Sequence, residues 1–268
     1  MQRARGDLRV SVRLRDGHTA LERFRQEGCL KARLPRPEHG AWASLVTLNS
    51  SGGIAQGDRL ATAIAAGPGT SLTVASQAAE RYYRSPAAGL EPARVEAALH
   101  AGPGAALEWL PQETILFDGC ALDRRLDIDL AADAWFLGVE TLVFGRAAMG
   151  ETLRAVAVRD TIRLRRAGRL VWHDSVRLQG DGQALLDGAA AAGGGRAMAT
   201  LLHAAPDAAA ALDPLRAALE PFEAGASAFD GLLVARIVAV DGACARAAIV
   251  AALAALRGAR PLPRVWSC

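Results

Sequence analysis

The chain has 268 residues, of which 51% are hydrophobic and 22% charged, with a formal net charge of +3. A chain of this length buries about three quarters of the surface its unfolded form exposes, so these totals exclude a mostly disordered protein. The positive charge comes from scattered arginines and a single lysine, Lys31, with no block of like charge, and aromatic residues make up only 5%, so the clustered basic stripe with interleaved rings that nucleic-acid binding uses is not expected.

Residues 1–7 lead into a strand without the apolar stretch of a signal peptide. Leu8-Arg9-Val10-Ser11-Val12-Arg13-Leu14 alternates without fault, the period of a half-buried strand. Asp16-Gly17 is a hairpin turn pair, and residues 19–24 return as its partner. A loose repeat follows. Ala-Gly-Pro-Gly stands at 66–69 and again at 101–104, 35 positions apart, and a weaker third unit at 128–137 turns at Ala132-Asp133. Each unit reads as strand, tight turn, strand, and stacking such hairpins buries a shared apolar face.

Further along, residues 162–165 and 170–176 flank Ala167-Gly168 as another hairpin, and 189–195 is a small-residue loop. Residues 232–240 form a strand ending in an Asp241-Gly242 turn. Helix is scarce and late. Asp213 and Pro214 open one as N-cap and first helical residue, running to about 219, and 245–256 forms another that closes at Gly258. The expected fold is mainly β, with stacked β-hairpin layers (β-helix-like or antiparallel sheets) and about two helices toward the C-terminus, in one domain spanning 1–268.

The chain has no Gly-Lys-Ser/Thr and no G-x-S-x-G, and Gly193-Gly194-Gly195 does not open a βα unit. A P-loop, a nucleophile elbow and a dinucleotide site are therefore not expected. His18, His39, His100, His173 and His203 lack metal-ligand spacing, and Cys29, Cys120, Cys244 and Cys268 form no C-x-x-C pair. The cysteine usage fits a reducing, cytoplasmic setting. The longest apolar approach, 243–256, is short and holds Arg246, so no membrane span is expected.

Carboxylates remain. Glu108, Glu113, Asp118 and Glu140 lie in apolar surroundings, where a charge is costly unless it is paired or used. On a strand Glu108, Gln112 and Thr114 share one side and Trp109, Glu113 and Ile115 the other, unless Pro111 breaks the alternation. The simplest reading of Glu113 is a pair with one of the many arginines. The alternative is a β-scaffold carbohydrate-active enzyme or binding module with paired carboxylates, against which the low aromatic content counts. A self-assembling β-rich structural protein is a further alternative.

Several motifs in fixed order decide among these. They are Gly52-Gly53-Ile54-Ala55-Gln56-Gly57-Asp58, Ser76-Gln77-Ala78-Ala79-Glu80-Arg81-Tyr82-Tyr83 and the run from Glu108-Trp109-Leu110-Pro111-Gln112-Glu113 to Asp118. Glu140, Gly145-Arg146, Gly150-Glu151 and the tail Pro263-Arg264-Val265-Trp266 follow. Together they resemble the UreD (UreH) family of urease accessory proteins, with Arg81 standing where that pattern has lysine. The resemblance implies a non-enzymatic scaffold for urease maturation. Its partners would be a UreF-type accessory protein, through it a UreG-type GTPase, and apo-urease, with neither nucleic acid nor membrane involved. It implies no tightly bound cofactor, only nickel in transit through a polar internal passage.

A cation in transit needs oxygen ligands that hold it weakly enough to release it, whereas a histidine–cysteine site would trap nickel. The residues placed as passage-lining or structural polar groups are Asp58, Gln77, Glu80, Gln112, Glu113, Glu140, Arg146 and Glu151. Gly52, Gly53 and Gly57 serve backbone geometry, while Tyr82, Tyr83 and Trp109 read as core.

Overall fold

The computed structural model describes residues 3–35, 42–85, 91–146, 149–258 and 260–267; His39 and Cys268 lie outside them. The chain opens with the expected hairpin, β1 (Arg5–Arg15) against β2 (His18–Gly28). It turns through Asp16 at φ 49° and Gly17 at φ 78°, left-handed values that an Asp-Gly pair tolerates. β3 (Leu30–Arg33) and β4 (Ala43–Asn49) pair antiparallel in a second sheet.

From there the chain winds between the two sheets. β5 (Arg59–Ala66) lies in the first, β6 (Ser71–Ser76) and the short β7 (Glu80–Tyr82) in the second. β8 (Ala93–Ala101) returns to the first, then β9 (Ala106–Leu110) and the short β10 (Thr114–Leu116) to the second. β11 (Ala121–Leu130) and β12 (Trp135–Phe144) repeat the step, and β13 (Val156–Arg166) with β14 (Arg169–Gly180) ends the first sheet as a hairpin. After α1 (Gly182–Asp187) come β15 (Ala197–Ala204), α2 (Leu212–Leu219), β16 (Ala224–Phe229), β17 (Leu232–Ala239) and α3 (Gly242–Arg257). The first sheet runs β14-β13-β11-β8-β5-β1-β2 and the second β16-β17-β15-β12-β9-β6-β4-β3, with β10 joining β12 to β7.

The repeat is thus the turn of a coil. Strands within one unit do not pair with each other. Instead β5, β8 and β11 pair in parallel in the first sheet, and β6, β9 and β12 in the second. The Ala-Gly-Pro-Gly turns carry the chain from sheet to sheet and stack on one another, Gly69 N–H donating to Pro103 O and Gly102 N–H to Ala66 O, both at 2.9 Å.

Two apolar layers result. Leu8, Ile64, Leu99, Leu107, Ile128 and Phe136 fill the space between the sheets. Leu137, Leu201, Ile237, Leu215, Ile249 and Leu253 join the other side of the second sheet to α2 and α3. Each such fully buried side chain contributes about 1.5–3 kcal/mol.

The helix boundaries differ from the sequence expectation. α2 begins at Leu212 with Ala211 at its cap, because a preceding single turn, Ala208–Ala211, already winds the chain into helical geometry. Asp213 therefore sits inside the first turn, where its charge favours the helix N-terminus. Asp241 ends no turn. It caps α3, accepting the Cys244 N–H at 2.8 Å, so that helix starts at Gly242 rather than 245. α1 was not anticipated; Asp181 caps it through the Ala184 N–H at 3.0 Å.

Candidate functional site

Inward positions on β11 run Leu122, Arg124, Leu126, Ile128, Leu130, and those on β13 run Val156, Val158, Asp160, Ile162, Leu164. One charge interrupts each apolar series, and the two are register partners. Arg124 donates Nε to Asp160 Oδ1 at 2.8 Å and Nη2 to Oδ2 at 2.6 Å, a two-pronged fit that suits the planar guanidinium. Its Nη1 reaches Thr114 Oγ1 at 2.8 Å and Glu140 Oε2 at 2.7 Å. Trp109 Nε1 donates to Glu140 Oε1 at 2.7 Å.

The group draws on β9 to β13, and two carboxylates share one guanidinium in the interior. Burial pushes the Glu140 carboxyl above the ordinary glutamate range, against the pull of Arg124. Burial also raises the Tyr82 hydroxyl. Burial opposes the charge on Arg124, yet Asp160 and Glu140 raise its pKa further above the ordinary arginine value.

Glu108 precedes Trp109 on β9 and faces the opposite side of the sheet, toward α3. Its Oε1 accepts Arg257 Nε at 2.9 Å and lies 2.8 Å from Arg260 Nη2. Oε2 accepts Thr73 Oγ1 at 2.7 Å and Arg257 Nη2 at 3.1 Å. Arg260 stacks 3.8 Å over Trp42 and lies 5.6 Å from the Trp135 ring centre. Nearby, Arg246 of α3 donates Nη1 to Gln112 Oε1 at 2.6 Å and Glu113 Oε1 at 2.8 Å, and Nη2 to the Trp266 carbonyl at 2.7 Å. Gln112 Nε2 donates to Val265 O, and Trp266 Nε1 to Leu110 O at 3.1 Å. Through these contacts the C-terminal tail is clasped to the Pro111-Gln112-Glu113 link.

Pro111 does break the alternation. Gln112 and Glu113 both turn to Arg246, while Thr114 joins Trp109 on the inter-sheet side. The paired-carboxylate reading finds no substrate-facing acid in Glu108, which has 0% exposure and both oxygens engaged. Asp118 is likewise occupied. Burial raises its carboxyl, but the Ala155 amide, Arg84 and the Arg154 amide together hold it below the ordinary range.

The other sequence-predicted residues scatter. Glu80 lies beside Glu113, its N–H donating to the Glu113 carbonyl at 2.9 Å. Burial raises its carboxyl, against a 3.2 Å bond from Asn49 Nδ2. Asp58 is a loop organiser, accepting the Ala4 and Ala55 N–H groups, both at 2.8 Å. Gln77 is exposed, and its N–H donates to Thr47 O. Arg146 and Glu151 pair at 2.9 Å in a surface loop, with Arg146 4.3 Å over Phe117.

Gly52 (φ 79°), Gly53 (φ 143°) and Gly57 (φ 86°) all need left-handed or extended-positive backbone, and a Cβ on Gly53 would stand 2.3 Å from the Tyr83 ring. Tyr82 and Trp109 are core, whereas Tyr83 is 36% exposed and donates its hydroxyl to Gly52 O at 2.7 Å.

Sequence reasoning missed Arg124, Asp160, Arg246, Arg257 and Arg260. Arg124 is buried, and Arg166 donates to the Ala134, Ala205 and Gly231 carbonyls. For Arg124, Asp160 and Arg166 the available signal was parity, since each occupies an inward position of its strand; Arg246 and Arg257 lie on α3 and Arg260 follows it, where strand parity gives no signal.

Among the described residues no three His, Cys, Asp or Glu side chains group as a metal site, and no helix is long and apolar enough to cross a membrane. A family profile described as UreD urease accessory protein matches residues 4–267. A protein from Chelativorans sp. (strain BNC1) named urease accessory protein UreD is 47% identical, covering 100% of this chain and 95% of its own. Similarly named proteins from Methylobacterium sp. (strain 4-46) and Rhizobium leguminosarum bv. viciae are 47% and 42% identical, each covering 99% of this chain and 95% or 96% of their own.

Proposed function

Because this chain belongs to the UreD family of urease accessory proteins, with a role in urease maturation, we infer that it is a non-enzymatic cytoplasmic scaffold. It binds a UreF-type protein, through it a UreG-type GTPase, and apo-urease, and helps nickel, its cargo, reach the urease active site. It takes no resident cofactor and engages neither membrane nor nucleic acid.

One observation carries the passage part of this reading. Glu140 and Asp160 outnumber Arg124 in the space between the sheets, leaving excess negative charge where a cation would otherwise be poorly solvated. Oxygen donors from Glu140, Asp160, Thr114 and Tyr82 suit transit, because a hard, partly satisfied oxygen set holds a divalent ion weakly. Glu140 is the member best placed to act. Among the described residues its carboxylate is held only by Arg124 and Trp109, and burial with no second cation makes its charge the less compensated of the two acids. On the other side of the sheet, Glu108 has both oxygens engaged and Glu113 is paired through Oε1 with Arg246, so these acids hold the tail and helices in place.

The test is co-expression with UreF-type and UreG-type proteins, size exclusion, and nickel-dependent urease activation. Co-elution, and activation lost on omitting this chain, is the expected outcome; no complex and no dependence overturns the reading. Glu140→Ala that leaves activation intact removes Glu140 from the route.

A further inference from the structure

Helices α2 and α3 cover the second sheet, while the outer face of the first carries exposed charge. There the register sets Arg5 beside Arg59, Arg59 beside Arg94, Arg94 beside Asp123, Asp123 beside Arg159 and Arg159 beside Arg177. One row across the strands thus holds five exposed guanidiniums and one carboxylate, in a chain whose whole net charge is +3. Arg5, Arg59 and Arg159 have no ion-pair partner among the described residues. Arg94 has only the exposed Glu91, at 2.9 Å. Like charges on adjacent strands repel, and in the described chain only Asp123 and Glu91 offset this row.

We propose that the row is a docking surface for an acidic α-helix of a protein partner, laid across the strands with one Asp or Glu per turn. Adjacent strands lie about 4.8 Å apart, so the row is about 24 Å long. A helix advances about 5.4 Å per turn, and side-chain tips fan outward over a twisted sheet, which brings the two spacings together. A nucleic-acid backbone fits less well. The next outward row holds Glu27, Asp7 and Glu96 and one arginine, Arg125, which Asp127 pairs at 2.5 Å. These carboxylates repel a uniformly negative strand but leave room for a helix that is acidic on one stripe.

The partner's identity rests on the scaffold reading, its chemistry does not, and the test separates the two. The full chain is titrated with a labelled helical peptide bearing one Glu per turn, with a composition-matched scrambled peptide and with duplex DNA. The wild type is expected to prefer the striped helix, with binding that weakens as salt rises. Arg59→Glu/Arg94→Glu/Arg159→Glu is expected to lose roughly tenfold or more, and the three Arg→Lys changes to keep most of it. Equal binding of striped and scrambled peptides, or tighter binding of DNA, overturns the proposal. The triple-Glu variant is also co-purified with the urease-maturation partners. If wild type and variant retain every partner alike, the row is not the docking surface and the scaffold reading stands. If the wild type binds none, the scaffold reading fails and the peptide titration alone decides the row.

Discussion

Arg257 and Glu108, 149 residues apart, meet through two parallel hydrogen bonds of 2.9 and 3.1 Å with side-chain exposures of 5% and 0%. The pair ties the last turn of α3 to the middle of β9, so the helical layer and the coil share one buried contact. Arg257→Met removes two charge-assisted hydrogen bonds but leaves Glu108 with Arg260 and Thr73, so it is expected to cost toward the lower end of the about 3–5 kcal/mol that breaking a buried pair costs. Adding Glu108→Leu should recover part of that loss. Urea denaturation midpoints of the single and double variants check both statements; a single variant as stable as wild type would contradict them.

Gly53→Ala should destabilise by about 1–3 kcal/mol, because its backbone at φ 143° disfavours any Cβ and the new atom meets the Tyr83 ring. Adding Tyr83→Ala relieves the clash but not the backbone strain, so thermal melts should show partial recovery only.

The pH dependence has two opposed limbs. Burial raises Glu140 and Glu80 in the folded protein. The stability that they lend is complete below the ordinary glutamate range and fades as pH rises through their raised folded values. Glu140→Gln should therefore flatten the decline of stability above about pH 5. Asp118 and Glu151 are held below their ordinary ranges. Their contribution is present above those ranges and is lost as pH falls through the folded values, so Asp118→Asn should flatten the acid limb. Denaturation midpoints across the pH range measure both slopes.

His203 is also buried, and its Nδ1 lies 3.0 Å from the Phe136 carbonyl, to which it donates as the neutral ring. Burial lowers its pKa. Its stabilising effect is present above about pH 6.5, the ordinary histidine value, and is lost as pH falls through the depressed folded value. His203→Phe should remove that component of the acid limb.

Arg246→Ala should release the tail, since it loses the contacts to Gln112, Glu113 and the Trp266 carbonyl together. Trypsin should then cut after Arg264 faster than in wild type, and Trp266 fluorescence should shift red. Arg246→Lys restores one contact at a time and should lie between.

Much of the fold was legible locally. The alternation of residues 8–14, the Asp16-Gly17 turn, the recurring Gly-Pro turns and the Gly258 helix end each encode one element through nearest-neighbour geometry. Pairing was not legible in the same way. The two strands around Ala66-Gly67-Pro68-Gly69 read as a hairpin because a tight turn is local, yet they pair with strands one coil away. Of the site, Glu140 and Glu113 stood out as acids among apolar residues, but their partners did not, because an arginine in this chain is too common to be a signal by itself.

The sequence alone determined the β-rich class, the late helices and, through motifs in fixed order, the family. Each of these depends on short-range pattern or on residue order. Tertiary structure decided which carboxylates are spent and which share a counter-ion. Arg124 and Asp160 become partners only when β11 and β13 align, and Glu108 meets Arg257 only when α3 packs back across the sheet. Buried charge is settled by what the fold brings within about 3 Å of it, a distance with no counterpart along the chain.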